Sequence, residues 1–366
     1  MDIRQVAEQF VLEGSLEQVV PYGNGHINDT YLVTTKSGAE KKRYILQRIN
    51  TSIFSKPEVL MENIIGVTTH LKRKIEVAGG DVWRETLNVI PTKEQKTFYE
   101  AAEGDCYRVY TYIENSSSLE QIEHAEDFYA AAEAFGNFQC LLSDYPAGTL
   151  HETIPDFHNT AKRYQRFLEV LEADALGRAT KVQQEIDFVK ARGAEMGVLQ
   201  ELLDAGEIPL RVTHNDTKLN NILLDQDSGK AICIIDLDTV MPGSALYDFG
   251  DSIRFGANTA AEDEQDLSCV NLNLELFECY TKGYIKGCQG KLTPREVELL
   301  PVGAKMMTLE CGMRFLTDYL EGDVYFKIHR EHHNLDRCRT QFKLVADMEA
   351  KWERMNEIVS QVAGRV

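Results

Sequence analysis

The segment between Val212 and Asp236 constrains the fold of this 366-residue chain more than any other stretch. It begins with the polar cluster HNDTKLNN and continues as two short apolar runs, ILL and AICII, separated by the turn-forming residues DQDSGK. Two apolar runs on either side of such residues predict a β-hairpin. If the turn is centred on Ser228, Asn221 and Asp236 lie opposite each other at the open end of the hairpin.

The polar residues of this segment are the groups that phosphoryl transfer needs. An amide oxygen and a carboxylate held side by side suit Mg²⁺, so we predict Asn221 and Asp236 as metal ligands. Asp216 precedes the hairpin, where a loop can direct its carboxylate at an incoming hydroxyl, and Lys218 offers positive charge to the transferred group. The pattern H-x-D-x-x-x-x-N matches the catalytic loop of kinases. We predict Asp216 and Lys218 as catalytic residues, because an ordinary polar loop does not require this whole set.

A second acidic motif, D-F-G at 248–250, is less suited to bind the metal. It follows the turn formers Met-Pro-Gly and enters a helical pattern, whereas Asp236 ends a predicted strand. We therefore interpret Asp248 and Asp251 as carboxylates that begin a helix or support the site from outside it.

The pattern of apolar residues changes near residue 115. Before it, period-2 runs predict strands at 31–35, 43–49 and 106–113, and one helix is predicted from Pro57 to about Ala78. After it, apolar residues recur every three or four positions, which predicts helices. We therefore predict an α+β, two-lobed fold. A small β-rich N-terminal lobe, residues 1–113, would bind the nucleotide, and a larger, mainly helical lobe, residues 114–366, would hold catalytic and substrate-binding residues.

The N-terminal lobe contains a glycine loop, GNGHIN, at 23–28. A strand-like run follows it, whereas a dinucleotide-binding fold requires a helix there. We therefore predict that Gly23 and Gly25 belong to a loop that covers the phosphates of a nucleotide. The predicted hinge at 112–117 adds Tyr112 and Ile113 to the nucleotide-binding residues, since ligands favour domain interfaces.

Kinases of this plan hold the phosphates with a lysine on the third strand, which pairs with a helix glutamate. The run Tyr44–Arg48 contains no lysine. Arg48 is the candidate replacement, with Glu62 as its partner, and the alternative is an exposed arginine at a strand end.

Composition excludes several classes of function. The formal net charge of −19 disfavours binding to nucleic acid and anionic membranes. The eight cysteines show no C-x-x-C spacing, and neither a signal peptide nor a membrane-spanning run is evident. We expect a cytoplasmic protein, with a monomer favoured because the apolar stripe at 335–362 is typical of helices that pack on their own core.

Three stretches, HNDTKLNN, IIDLDTVMPGSALYDFGDSIRFGA and ECGMRFLTDYLEGDVYF, resemble the aminoglycoside/choline kinase-like phosphotransferases. Among these, the chain resembles in particular the bacterial kinases of N-acetylhexosamines. The resemblance implies a protein kinase-like, two-lobed fold. It implies ATP and Mg²⁺, and phosphorylation of N-acetylglucosamine or N-acetylgalactosamine at the anomeric hydroxyl. It implies Asp216 as the base that contacts the acceptor and His26, Arg314 and Tyr325 as sugar contacts.

Other interpretations remain open from the sequence. Arg314 lies four residues from both Glu310 and Asp318, so an intrahelical ion pair is an alternative to sugar binding. A kinase of another small alcohol, such as an aminoglycoside, choline or a methylthio-sugar, is one alternative. A cationic acceptor among these would need an acidic pocket, which Asp248, Asp251 and Glu310 could supply. A nucleotide-binding protein without activity and a hydrolase are further alternatives, but the complete kinase-loop set argues against the first. No cysteine lies in the C/S-x-P-x-R setting that a sulfatase requires.

Overall fold

The computed structural model of the chain describes residues 2–23, 27–118 and 124–364. The strands over these residues are β1 (Ser15–Pro21), β2 (Asp29–Ser37), β3 (Glu40–Ile49), β4 (Val89–Ile90), β5 (Tyr99–Glu100), β6 (Cys106–Thr111), β7 (Ser116–Ser118), β8 (Arg211–Thr213), β9 (Ile222–Asp225), β10 (Ala231–Ile234) and β11 (Met241–Gly243). The α-helices are α1 (Ile3–Ala7), α2 (Pro57–Val77), α3 (Ala125–Leu141), α4 (Thr160–Ala173), α5 (Gln183–Lys190), α6 (Val198–Asp204), α7 (Ala245–Gly256), α8 (Leu274–Gly287), α9 (Pro294–Glu298), α10 (Leu300–Glu321), α11 (His333–Ala350) and α12 (Trp352–Ala363).

The chain divides into two compact units. The first comprises Met1–Leu119, Asp144–Pro155 and Asn221–Met241, and the second comprises the remaining segments, Glu120–Ser143, Asp156–Asn220 and Pro242–Val366. The first unit contains the two larger sheets and α2, and the second contains most of the helices. The α+β prediction is confirmed, together with the three predicted strands and the helix that starts at Pro57. The functional assignment of 1–113 and 114–366 stays a prediction.

The main sheet of the first unit has the strand order β1-β2-β3-β6-β4, and β5 pairs with β6. Leu46 of β3 pairs with Val109 of β6, and both are buried in a hydrophobic core that includes α1. Because side chains alternate along a strand, the next pair, Gln47 and Arg108, lies on the opposite face of the sheet. The two faces therefore differ in character, one apolar and the other carrying buried polar groups.

The predicted hairpin forms a second sheet in the same unit, with the strand order β10-β9-β7. Its turn is closed by Asp225 N–H, which donates to Lys230 O at 2.8 Å, and by Gly229 at φ +67°. The predicted register is wrong by one residue, since the N–H of Ile235, not of Asp236, donates to Asn221 O. The turn lies earlier in the sequence than predicted, which moves the strand partners out of the predicted register. The register shift between Ala231 and Cys233 restores part of this difference, and one residue of difference remains at Asn221.

In the second unit, α3 packs closely on α8, and α10 packs on α4, α7 and α11. Gly287 allows the α3–α8 approach, because a Cβ there would lie against the Glu133 carbonyl. The predicted C-terminal stripe is buried within the chain itself, apart from the partly exposed Trp352, so the interpretation as core rather than as an exposed seam is confirmed; its buried members are Leu335, Cys338, Phe342, Val345, Met355, Val359 and Val362.

Candidate active site

A buried histidine anchors the loop that carries Asp216. His214 follows β8, and its fully buried ring lies edge-on to Phe135 and Phe138 of α3, with centroid distances of 5.6 and 5.9 Å. Asn215 has a φ of +63°, a left-handed conformation that asparagine adopts more readily than most residues. The chain therefore turns sharply just before Asp216.

Asp248 holds this loop in place. Its side chain, in the first turn of α7, accepts the backbone N–H of His214 at 3.0 Å, that of Asn215 at 2.8 Å and the Gln139 amide at 2.8 Å. Burial raises the pKa of Asp248, and the nearby His214 and these hydrogen bonds oppose that rise. Thr217 Oγ1 also donates to the Asp248 carbonyl at 2.9 Å. Asp248 thus positions the loop, in accord with its interpretation as a supporting carboxylate.

Asp216 and Lys218 form an ion pair, with Lys218 Nζ 2.8 Å from Asp216 Oδ1. Burial would lower the pKa of Lys218, but the carboxylates of Asp216 and Asp251 outweigh burial and raise that pKa above its ordinary value. A charged ammonium therefore faces the carboxylate. Asp216 is partly exposed, as a group that receives a proton from an acceptor must be.

Asn221 and Asp236 lie at the open end of the hairpin, where the sequence placed its metal ligands. Asp236 has a φ of +59° and precedes a tight turn, Leu237–Thr239, so the chain changes direction at this carboxylate. In the part of the chain that the structure describes, no group of three or more His, Cys, Asp and Glu side chains could enclose a metal. Two oxygen ligands nevertheless fit Mg²⁺, which usually takes one or two protein groups and completes its shell with phosphate oxygens and water.

A buried polar network that sequence reasoning missed lies beside this turn, in the same unit. Arg108 and Asp238 are 1% and 3% exposed, and Arg108 Nη1 lies 2.5 Å from Asp238 Oδ1. Asn28 donates to the other carboxylate oxygen at 2.7 Å. An arginine at an inward position of a central strand was the signal available in the sequence, since such positions are usually apolar.

The predicted nucleotide-binding residues of the glycine loop and hinge are only partly described. Gly23 has a φ of +72°, a conformation that favours glycine, whereas Gly25 and His26 lie outside the described residues. The guanidinium carbon of Arg43 lies 4.2 Å from the ring centroid of Tyr112, and Ile113 is buried. Their contact with a nucleotide stays a prediction.

The expected pairing of Arg48 with Glu62 is wrong. Arg48 pairs with Asp29 and Asp105, at 2.6 and 3.2 Å, while Glu62 contacts His151 at 2.9 Å. The reason is the alternation along β3: Arg48 lies on the same face as Leu46, opposite Gln47. A role of either residue in nucleotide binding stays a prediction.

In the second unit, Arg314 lies among aromatic rings. Its guanidinium carbon is 5.3 Å from the ring centroid of Phe157, 5.8 Å from that of Tyr325 and 5.5 Å from that of Phe326. Neither intrahelical ion pair forms: Glu310 contacts His158 and Thr160, and Asp318 binds backbone N–H groups.

Asp318 fixes the segment that presents Tyr325. The buried carboxylate accepts the backbone N–H groups of Val324, Tyr325 and Phe326 at 2.9, 2.7 and 3.0 Å. The Tyr325 side chain is 58% exposed, so it is held by its backbone and remains open to a ligand. Arg314 of α10 and Tyr325 of this segment, which only the resemblance had connected, therefore lie close together.

Comparison with known protein families decides the general identity. Residues 18–268, more than half of the chain, match the model of APH, the phosphotransferase enzyme family. The chain belongs to this family. The predicted kinase-like class of enzyme is thereby established at the level of the family, and the matched range covers both the glycine loop and the whole segment from His214 to Asp251.

Solved structures show that this phosphotransferase has the fold of its family. An aminoglycoside phosphotransferase from Alicyclobacillus acidocaldarius is 12% identical, with a TM-score of 0.60 over 99% of this chain and 95% of that one. A microcompartment-associated aminopropanol kinase is 15% identical, with a TM-score of 0.57 over 97% and 98%. A spectinomycin phosphotransferase, solved with ADP and spectinomycin, is 14% identical, with a TM-score of 0.52 over 92% and 93%. The predicted kinase-like fold is confirmed.

No helix among the described residues of this phosphotransferase is long and apolar enough to cross a membrane.

Proposed function

We propose that this chain is an ATP- and Mg²⁺-dependent kinase that phosphorylates the anomeric hydroxyl of N-acetylhexosamines. The observation that carries the choice of acceptor is the position of Arg314, which lies among three aromatic rings without an ion-pair partner among the described residues. The resemblance of the stretch ECGMRFLTDYLEGDVYF to kinases of N-acetylhexosamines supports the same choice.

Arg314 and its surroundings suit a neutral, oxygen-rich acceptor. A guanidinium donates several hydrogen bonds to hydroxyl or carbonyl oxygens, and the exposed ring of Tyr325 offers an apolar face beside it. Arg163 is a second cation near Arg314. It lies close enough for the charge of Arg314, together with burial, to lower the pKa of Arg163. A sugar with an acetamido group presents the oxygens that such a surface can bind.

The carboxylates of the second unit and the charge of Arg314 disfavour a cationic acceptor, which is the principal alternative. The three carboxylates that could bind an amine are already engaged within the second unit. Asp248 holds the catalytic loop, Asp251 pairs with Arg254 at 2.8 Å, and Glu310 contacts His158 at 2.8 Å. The positive charge of Arg314, which already lies over these aromatic rings, also repels a second cation. A kinase of an aminoglycoside or of choline is therefore the weaker proposal.

Each catalytic group has a defined task in this proposal. Asp216 accepts the proton of the anomeric hydroxyl, and Lys218 stabilises negative charge on the transferred phosphoryl group. Asn221 and Asp236 would hold Mg²⁺, which neutralises the phosphates when it is bound. Gly23, Gly25, Tyr112 and Ile113 would contact ATP. The protein would act as a cytoplasmic enzyme, with a monomer favoured.

A panel of acceptors tests the choice of substrate. We expect kcat/KM for N-acetylglucosamine or N-acetylgalactosamine to exceed that for choline or an aminoglycoside by at least about 100-fold, as expected when the site repels a positive charge. Preference for a cationic acceptor would contradict the proposal and leave the family assignment intact.

A further inference from the structure

The polar face of the main sheet carries a cation on a different strand from the one that kinases of this plan use. In the register row that joins β2, β3 and β6, the residues are Thr30, Gln47 and Arg108. The third strand thus supplies an uncharged amide, and the sixth supplies the guanidinium. Gln47 links the row, since its Nε2 donates to Thr30 Oγ1 at 3.2 Å and its Oε1 accepts from Arg108 Nε and Nη2 at 3.1 and 2.8 Å.

The opposite end of Arg108 faces the turn that follows the predicted metal ligand. Nη1 forms its 2.5 Å ion pair with Asp238, two residues after Asp236, without the alignment of a hydrogen bond. Burial alone would lower the pKa of Arg108, but Asp238 and, more weakly, Asp236 raise it above its ordinary value. The charge of Arg108 therefore acts on both carboxylates of this turn.

Asp238 also connects the turn to the end of the glycine loop. Its second carboxylate oxygen accepts a hydrogen bond from Asn28 Nδ2. Asn28 Oδ1 in turn accepts a hydrogen bond from the backbone N–H of Asn50 at 3.0 Å. Asn28 is the last residue of the motif GNGHIN. One buried carboxylate therefore contacts both the strand cation and the segment next to the predicted phosphate loop.

We propose that Arg108 is a positioning residue for nucleotide binding, and that the Arg108–Asp238 pair takes the place of the lysine–glutamate ion pair of other kinases in ordering the site, without itself holding the phosphates. Arg108 fixes Asp238, and Asp238 in turn fixes the turn that carries Asp236 and the end of the glycine loop at Asn28. Its near-complete burial, with Nε and Nη2 committed to Gln47, suits this indirect action better than direct contact with phosphate.

The pair is expected to affect nucleotide affinity rather than acceptor affinity. Supporting residues around a metal change metal affinity by about 10–100-fold when they are replaced. We expect losses in that range for a non-hydrolysable ATP analogue with Mg²⁺ in Arg108→Gln and in Asp238→Asn, and a loss in the double variant no greater than that of the weaker-binding single variant. Two residues that act as one unit are non-additive in this way.

Moving the cation provides the sharpest test. In the Arg108→Gln background, Gln47→Lys returns a positive charge to the same register row from β3, and we expect it to recover most of the lost affinity. The matched control is Lys41→Gln, which changes another residue of β3 and removes its exposed ion pair with Glu17 of β1; we expect it to leave nucleotide affinity unchanged. Calorimetric binding and thermal melting of each variant separate nucleotide affinity from stability, and Arg108→Lys, which keeps the charge, serves if Arg108→Gln does not fold.

The inference rests on the proposed use of ATP and is independent of the acceptor. If the unaltered protein does not bind the analogue, the proposed function fails, and this inference with it. If the unaltered protein binds and the folded Arg108 and Asp238 variants bind equally well, only the inference fails. The inference would also be overturned if the losses of nucleotide affinity in Arg108→Gln and Asp238→Asn were additive in the double variant, or if only Arg48→Gln lost affinity.

Discussion

Asp216 is the residue on which the proposed chemistry depends. Its position follows from its neighbours: His214 is fixed between two phenylalanine rings, and Asp248 binds the backbone on the N-terminal side of Asp216. Lys218 then faces the carboxylate from two residues along the chain. The sequence spacing predicted the roles of Asp216 and Lys218, but the residues that immobilise them are distant in sequence and became evident only in the structure.

Replacement of Asp216 by Asn should remove the base while preserving the shape of the loop. We expect kcat to fall by about 10²–10⁴-fold, the usual contribution of a positioned general base, with ATP and sugar binding retained. Steady-state kinetics and calorimetric titration measure the two effects separately. An unchanged kcat would remove Asp216 from this role.

Replacement of Arg314 by Ala should weaken acceptor binding selectively. We expect the sugar KM to rise about tenfold or more, as when a hydrogen bond to a charged group is lost, while the ATP KM stays constant. Arg166→Ala is the control, because Arg166 is an exposed arginine that pairs with Glu321 in the same unit. Equal increases in both KM values would indicate a general defect of folding instead.

At the scale of elements, the hairpin β9–β10 and the start of α7 carry the carboxylates with different roles. The hairpin was predictable because two apolar runs flank a turn-forming segment. Its register was not, since the irregularity between Ala231 and Cys233 has no sequence signal of its own. The role of Asp248 as a loop anchor was predictable only in outline, because its partners at 214 and 215 depend on how α7 packs.

Two alanine variants separate these roles. Asp236→Ala should abolish detectable turnover with a melting temperature close to that of the unaltered protein, since Asp236 is expected to bind the metal. Asp248→Ala leaves buried N–H groups without an acceptor, each of which costs about 1–3 kcal/mol, so we expect a lower melting temperature together with reduced turnover. Thermal melts and titration of activity against Mg²⁺ compare them. A stable but inactive Asp248→Ala beside an Asp236→Ala with normal Mg²⁺ dependence would reverse the assignment.

A pH-dependent contact joins the hinge segment to the hairpin. Arg84 Nη2 donates to the carbonyls of Glu114 and Asn115, at 3.1 and 3.2 Å, and to Asp225 Oδ2 at 2.8 Å. Hydrogen bonds from Arg84 and Ser228 lower the pKa of Asp225 to about 2. A carboxylate whose pKa is lower in the folded state than in the unfolded state contributes its full stabilisation at pH values above the unfolded-state pKa of about 4. This contribution is lost as the pH falls through the folded-state pKa.

Asp225→Asn should therefore melt at a lower temperature than the unaltered protein at pH 7. The difference should narrow as the pH falls from about 4 towards 2, where the unaltered carboxyl also becomes protonated. Melting curves of both proteins across this range test the expectation. A difference in melting temperature that stays constant down to pH 2 would contradict the role of the charged pair.

At the scale of the whole molecule, the family and the fold could be predicted from the sequence, whereas the acceptor was proposed from the sequence only by resemblance. Period-2 runs and helical stripes predict the α+β class because they record which faces are buried. The partners of Arg48, Glu62 and Arg108 could not be predicted in the same way, because an ion pair depends on which residues of other elements lie within reach of each side chain. In the proposal, acceptor choice depends on Arg314 and Tyr325, which the chain brings together across the end of a helix.

Phosphorus NMR of the product formed from ATP, Mg²⁺ and N-acetylhexosamine tests the central claim most directly. We predict a glycosyl phosphate that shows coupling of phosphorus to the anomeric proton, is cleaved by mild acid and lacks a reducing end. These properties follow from transfer of the phosphoryl group to the anomeric hydroxyl, with Asp216 as the base. A stable 6-phosphate ester as the sole product, or the absence of a phosphorylated sugar while a cationic alcohol is phosphorylated, would contradict the account.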